Sequence, residues 1–269
     1  VPGFTSYDDL ISAISVSDQS SAFSFGKRAY TPTGSGVWYS LWLGFGVPAA
    51  NRTLPASTPG QTYVNGDGGI VFPNTSPQRK FLTTFASVSN NNATTMLYDR
   101  LAAVGNIALT PSGSKTINSL ALPRYADGEG VQVWLEVTTT ATGSGNVTLS
   151  SYTNQAGVAG RVGYAMAWPS ASNGFATLLG PLPLATGDTG VRSVQSITTA
   201  SSTAGVVSLV LLRPLAYSTD RFNTWQEKDT VLQFPSMPRI YDGATLGLAS
   251  VVSAVVSTAI NGQAGIAWG

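Results

Sequence analysis

Polar and apolar residues alternate along much of this chain with a period of two. In "VQVWLEVTTTA" (Val131 to Ala141), Val131, Val133, Leu135 and Val137 stand against Gln132, Trp134, Glu136 and Thr138. A strand turns successive side chains to opposite faces, so the pattern predicts a β-strand with one face buried. "GSGN" follows and leads into "VTLSSYT" (Val147 to Thr153), a hairpin signal: Gly tolerates positive φ, and β-branched residues come after it. "GVVSLVLLRPLAY" (Gly205 to Tyr217) reads as a buried strand ended by Pro214, which lacks the donor that a central ladder needs. Fifteen Pro and 29 Gly, spread through the whole chain, punctuate many short strands in the manner of a sandwich or barrel. One segment departs from the rule. In "TSYDDLISAISVS", Tyr7, Leu10, Ile11 and Ile14 fall at helical spacing, with Ser6 as N-cap and Asp8 and Asp9 at the positive end of the helix dipole. This predicts a short amphipathic helix that either packs on its own sandwich or docks onto a neighbour.

The chain repeats itself. "LPRYADGEGVQV" (Leu122 to Val133) and "MPRIYDGATLGL" (Met237 to Leu248) share apolar, Pro, Arg, a short spacer, Asp-Gly and then alternating apolar residues, at an offset of 115 (237 minus 122). Upstream, "MLYDRLA" and "LVLLRPLA" align Arg100 with Arg213, an offset of 113 (213 minus 100). A tandem duplication of a β-unit of about 110 residues, a common sandwich size, accounts for both. The expected division is an N-terminal helix and arm (1–36), one sandwich (37–157) and a second (158–269), split near 155 to 162. The alternative is two similar hairpins within one large sandwich. The repeat also makes "LGLASVVSAVVS" (Leu246 to Ser257) a strand, although its periodicity alone fits a helix, with a turn expected at Asn261-Gly262. In each motif the turn is assigned to Pro123, Arg124, Asp127 and Gly128, or to Pro238, Arg239, Asp242 and Gly243. Local ion pairs Arg124–Asp127 and Arg239–Asp242 are expected across these turns, worth about 0–1 kcal/mol if exposed.

Composition narrows the chemistry. Only 10% of the 269 residues are charged, against about 25% in an average domain, and 43% are hydrophobic, enough for one large core or two modest ones. Net charge is +1 with no basic run, so the footprint of a nucleic-acid or anionic-membrane binder is missing. With no His and no Cys, triads built on His, His–zinc sites, thiolate sites and disulfides are excluded. No apolar run reaches the 18–20 residues or so of a membrane helix, and no signal peptide opens the sequence.

The 13 carboxylates form few close pairs, Asp127 with Glu129 and Glu227 with Asp229 among them, and the first pair has no second acid in the duplicate turn. A repeated turn is better explained by folding than by glycoside hydrolysis, so no enzymatic activity is expected. "YVNGDGG" places Asn65 and Asp67 at a spacing reminiscent of a calcium loop but lacks the later acidic ligands, and a Gly-rich turn is the preferred reading; no cofactor is expected. Glycosylation acceptors at Asn51, Asn74, Asn92 and Asn146 are expected by chance in so Asn-, Ser- and Thr-rich a chain. The aromatic run "GVWYSLWLGFG", with Trp38, Tyr39 and Trp42, suits a core or a subunit contact better than a sugar platform.

The C-terminal "PRIYDGATLGLASVV" with "GQAGIAWG", the N-terminal "SYDDLISAI", and "WYSLW" followed by "TPGQTY" together resemble structural proteins of tailed-bacteriophage heads. The resemblance implies an all-β fold of tandem, jelly-roll-like β-sandwich units behind a short N-terminal amphipathic helix. It further implies a minor capsid, decoration or cement protein on the capsid exterior. Its partners would be the major capsid lattice and copies of itself, with no nucleic acid and no membrane. Candidate docking residues are Tyr7, Leu10, Ile11 and Ile14 on the helix and Trp38, Tyr39 and Trp42. A tail or fibre module binding host-surface glycans, and a secreted carbohydrate-binding or carbohydrate-degrading protein, are the competing expectations.

Overall fold

The computed structural model describes residues 3–30, 34–51, 53–57, 59–66, 68–168, 174–201, 204–233, 237–254 and 257–269. Apart from helix α1 (Tyr7–Ser15) and the one-turn α2 (Thr230–Gln233), its regular structure is strand, arranged in three sheets. The fold is therefore all-β. No helix is long and apolar enough to cross a membrane among the described residues.

The middle sheet closes on itself. Its order is β13 (Ala204–Asp220), β8 (Gln132–Thr142), β11 (Thr177–Leu179), β2 (Trp38–Ser40), β16 (Leu246–Val252) and β6 (Ala93–Ala108), after which β6 pairs back to β13. β4 (Gln61–Thr62) lies on the free part of the β6 edge. A flanking sheet runs β14 (Gln226–Asp229), β5 (Lys80–Ser89), β17 (Ala259–Trp268), β1 (Ser20–Arg28) and β3 (Phe45–Val47), with β15 (Arg239–Ile240) also on β5. A second flanking sheet runs β10 (Met166–Trp168), β9 (Gly145–Asn154), β12 (Val191–Ser201) and β7 (Gly113–Thr116).

Period-two alternation assigns the two faces of the ring to different cores. Met96, Tyr98, Trp134, Leu178, Val210, Leu212 and Ala249 share one cluster inside the ring. Outward-pointing neighbours on the same strands pack against the flanking sheets instead. Val133, Leu135, Val137, Leu209 and Leu211 meet Val147, Leu149, Val194 and Ile197 in one core, and Leu97, Leu246 and Leu248 meet Phe25, Leu82, Phe85 and Ile266 in the other. Ring strands buried on both faces cannot show a polar stripe, which is why Trp134 and Glu136, on the supposed polar side of β8, are buried.

The duplicated segments occupy equivalent places. β8 pairs with β13 and β11 as β16 pairs with β6 and β2, and β9 pairs with β12 and β10 as β17 pairs with β5 and β1. At the centre of the longest ladder Arg100 pairs with Leu212 and Asp99 with Arg213. Exchanging the two copies leaves that register unchanged, so a pseudo-twofold axis passes through it. The division at 155 to 162 does not coincide with the packing, however. It falls between β9 and β10, which are hydrogen-bonded neighbours. The core of the second flanking sheet draws on residues from Leu101 to Leu211 alone, whereas the other flanking sheet takes strands from both ends of the chain. The reason is that β6 and β13 cross the whole molecule, giving one half to each lobe.

Two local expectations are corrected. β13 runs through Pro214 to Asp220, because the proline sits at a bulge between Pro214 and Ala216, where the ladder spares its missing donor. Asn261 and Gly262 lie inside β17, not in a turn. Gly262 is there for close packing: a Cβ would stand 2.2 Å from the Ala86 carbonyl oxygen and 2.4 Å from the Phe25 ring. The helix forms as expected, with the Ser6 hydroxyl accepting from the Asp9 amide at 3.1 Å.

Candidate functional site

The two copies of the repeated motif converge on one cleft of about 1130 Å³, lined among others by Pro123 to Asp127, Pro238 to Asp242, Arg79 and Arg213. Each turn has its glycine at positive φ, 70° at Gly128 and 75° at Gly243. The copies touch directly. The Tyr125 and Tyr241 rings meet edge to face at 4.8 Å, the Tyr125 hydroxyl donates to the Arg239 carbonyl at 3.2 Å, and Arg124 donates to the Gly243 carbonyl at 2.9 Å.

The local ion pairs expected across these turns do not form. Arg124 turns inward and donates to both oxygens of the buried Asp99, at 2.7 and 2.9 Å, and to the carbonyls of Tyr63 and Arg100. Asp127 accepts instead from the Glu129 amide, a short-range turn bond. Asp242 pairs with Lys80 at 2.8 Å and accepts from the amides of Thr75 and Ser76. Burial opposes ionisation of Asp242, but Lys80 and those amides outweigh it and hold its carboxyl below the usual range. Arg239 lies over the Tyr241 ring, 4.1 Å from its centroid, and Arg213 over Tyr125 at 5.5 Å. A short turn cannot offer what these partners offer, since a buried guanidinium needs a bidentate acceptor and several carbonyls at once.

Inside the ring, a second ion pair lies close to the axis. Arg100 donates to Glu136 at 2.9 and 3.2 Å, both side chains being about 1% exposed, while the Ser40 hydroxyl donates to the same carboxylate. Trp42 and Tyr63 each face the guanidinium at 4.8 Å. Burial disfavours the Arg100 charge, but Glu136 outweighs it and holds the group well above its ordinary value. Burial also pushes the neighbouring Tyr98 hydroxyl up to about 12.

The residues expected to dock a partner separate into two groups. Trp42 is buried and Trp38 packs partly buried against Trp134 at 6.0 Å, so both tryptophans belong to the ring interior, while Tyr39, also buried, alternates to the other face of β2. On α1, Leu10 is buried and fixes the helix to the outer face of the first flanking sheet, while Tyr7 and Ile11 are 58% and 59% exposed. Ile14 and Val16 are exposed beside them, and Leu232 of α2 is 72% exposed across a shallow groove of about 750 Å³. The groove floor is polar and small: Ser20, Ser21, Thr83, Thr84 and Gly265, with Glu227 and Asp229 on one side. Sequence periodicity identified α1. It gave no sign of Leu232, which belongs to a single helical turn.

Asp67 lies outside the described residues, and Asn65 donates to the Asn74 side chain at 3.1 Å. Among the described residues, no group of three or more Asp and Glu is placed to hold a metal ion.

No family model matches the chain, and no curated protein matches it. Among solved structures, it is similar to the VP2 subviral particle of infectious bursal disease virus at 10% identity and a TM-score of 0.22, covering 96% of this chain and 85% of that one. A structure of the Gt strain of the same virus gives 10% identity and a TM-score of 0.17, covering 96% and 86%. Overlays this loose carry no functional weight.

Proposed function

We propose that the chain is a structural protein of a virus particle, a minor capsid or decoration protein that binds the outside of a major capsid lattice and cements it. The observation that carries this reading is the outward face of α1. A helix fixed by Leu10 and Ala13 presents Tyr7, Ile11, Ile14 and Val16 to solvent, with Leu232 beside them. An apolar face on a surface with so few charges suits association with a second protein. Many identical weak contacts over a lattice then add up to firm binding, which stabilises the shell by linkage. No titrating residue is needed for this, and the reading includes no catalysis.

The test uses purified protein, empty heads and imaging. Replacing Ile11 and Ile14 by Ser leaves Leu10 and Ala13 in place, so the variant keeps its melting temperature and loses occupancy on the shell. Binding of the unaltered protein changes little with salt, since few charges are available to be screened. Density on tails alone would favour the adsorption module. Density nowhere on the particle, or full occupancy by the variant, would refute the lattice-binding reading.

A further inference from the structure

We infer that the cleft between the two motif copies is a binding site for an acidic segment of a partner protein, gripped through side-chain carboxylates by Arg213 and Arg239 with Arg79 beside them. The inference stands apart from the capsid reading, which rests on the opposite feature, an apolar helix face.

Its basis is an asymmetry within the duplication. The motif repeat sets Arg124 against Arg239 (239 minus 124 is 115), and Arg124 holds the buried carboxylate of Asp99. In the ladder between β6 and β13, Asp99 pairs directly with Arg213, and the pairs on either side repeat at that same offset of 114 (213 minus 99): Arg100 with Leu212 answers Tyr98 with Pro214, and Ala102 with Leu211 answers Leu97 with Ala216. Arg213 therefore stands where the first copy has Asp99, so the second copy keeps the cation of Arg124 in Arg239 and has a further arginine in place of the acid. Among the described residues neither meets a carboxylate within ion-pair distance, and both line the cleft.

Neither side chain is loose. Arg213 lies over Tyr125 and packs on Gly130, where a Cβ would come within 2.2 Å of its Nη1. Arg239 lies over Tyr241, and the two tyrosines brace each other. Stacking on a ring leaves the in-plane N–H groups free and orients them, which is the geometry for bidentate capture of a carboxylate. Arg79 adds a third guanidinium to the lining, and its Nε is buried without a hydrogen-bond partner.

The rim selects among anions. Asp127 and Glu129 are exposed at the cleft edge, so a polyanion of uniform charge meets repulsion there. A peptide, whose carboxylates alternate with neutral backbone donors, can place acids on the arginines and N–H groups towards the rim.

The test titrates the full chain with a short labelled peptide of Asp, Glu and Gly, with its Asn/Gln/Gly isostere, and with a heparin-derived oligosaccharide. The acidic peptide saturates, the isostere does not, and affinity falls as salt rises. R213Q and R239Q each weaken it about 5- to 10-fold, the scale of one charge-assisted contact at a partly solvated site, whereas R28Q on β1 changes nothing. Circular dichroism checks the fold of each variant. R239Q, at an exposed side chain, keeps the test decisive should R213Q destabilise the strand. Equal binding of peptide and isostere, preference for the oligosaccharide, or unchanged affinity in R239Q would overturn the inference.

Discussion

Removing the carboxylate of Glu136 should be among the most damaging single changes in the molecule. Glu136→Ala deletes the acceptor of two Arg100 bonds and of the Ser40 hydroxyl, and leaves a guanidinium about 1% exposed inside a closed ring. Breaking one member of a buried pair costs about 3–5 kcal/mol, because the remaining guanidinium can neither shed its proton nor reach water. Trp42 and Tyr63 still face the cation, and two desolvated cation–π contacts offset about 1–3 kcal/mol of a loss that would otherwise exceed this range. At about 2–4 °C per kcal/mol for a chain of this size, the melting temperature falls by roughly 6–20 °C. Urea unfolding followed by tryptophan fluorescence reads the same change, with Trp42 and Trp134 buried in the same cluster. The double variant Arg100→Met, Glu136→Leu fills similar volume with no charge and should return to within about 2 kcal/mol of the parent. A cost below about 1 kcal/mol for Glu136→Ala, or a double variant as unstable as the sum of its singles, would show that the pair is not the tightly coupled, desolvated unit described above.

The two repeated aspartates should differ. Asp242→Ala leaves Lys80, 2% exposed, with the Pro73 carbonyl but no carboxylate and should cost about 1–3 kcal/mol, whereas Asp127→Ala loses one turn bond and about 0.5–1 kcal/mol, a contrast that melting curves resolve. The two turn glycines should also differ. Both sit at positive φ, but a Cβ at Gly128 would strike the Val191 carbonyl carbon at 2.6 Å while one at Gly243 meets only Arg124 at 4.0 Å, so Gly128→Ala should be clearly the less stable variant in urea. Asp188 is the acid-sensitive group: Arg161, Tyr152 and Asn154 hold its carboxyl down to about 2. A depressed folded value means its contribution is complete above the unfolded value near 3.8 and disappears as pH falls towards 2. Asp188→Asn should therefore lower stability at neutral pH and flatten its fall between those limits, as thermal melts across that window would reveal.

What the sequence reveals follows the range of the forces involved. The Ser6 cap, the alternation of β8 and the glycines of both turns act over a few residues, so their signals are local and readable. The duplication is visible for a different reason: both copies obey the same ring geometry, and Val131 to Val137 and Leu246 to Val252 meet it at equivalent positions. Arg124 illustrates the limit. Its local partner Asp127 is three residues away in sequence, yet Asp99 wins, because only the folded ring brings a buried carboxylate and three carbonyls to one guanidinium. Similarly, nothing in "WYSLW" says that its two tryptophans face the inside of a closed barrel. The exposed face of α1 is legible as periodicity, while the replacement of Asp99 by Arg213 in the second copy needs the register.

β17 carries a consequence for how the molecule is made. It lies between β5 and β1, pairing Ala267 with Ser20 and Trp268 with Lys80. On a ribosome, β1 and β5 emerge with the first third of the chain and must wait for β17, holding facing rows of unbonded amides and carbonyls. Such a nascent chain is adhesive towards any other extended segment, including its twin on a neighbouring ribosome, and contacts of this sequence separation close slowly. The second flanking sheet has no such delay, since its strands all lie between residues 113 and 201. Assembly should thus proceed from the middle of the chain outwards, the last event being the insertion of one strand like a bolt between two that have stood open.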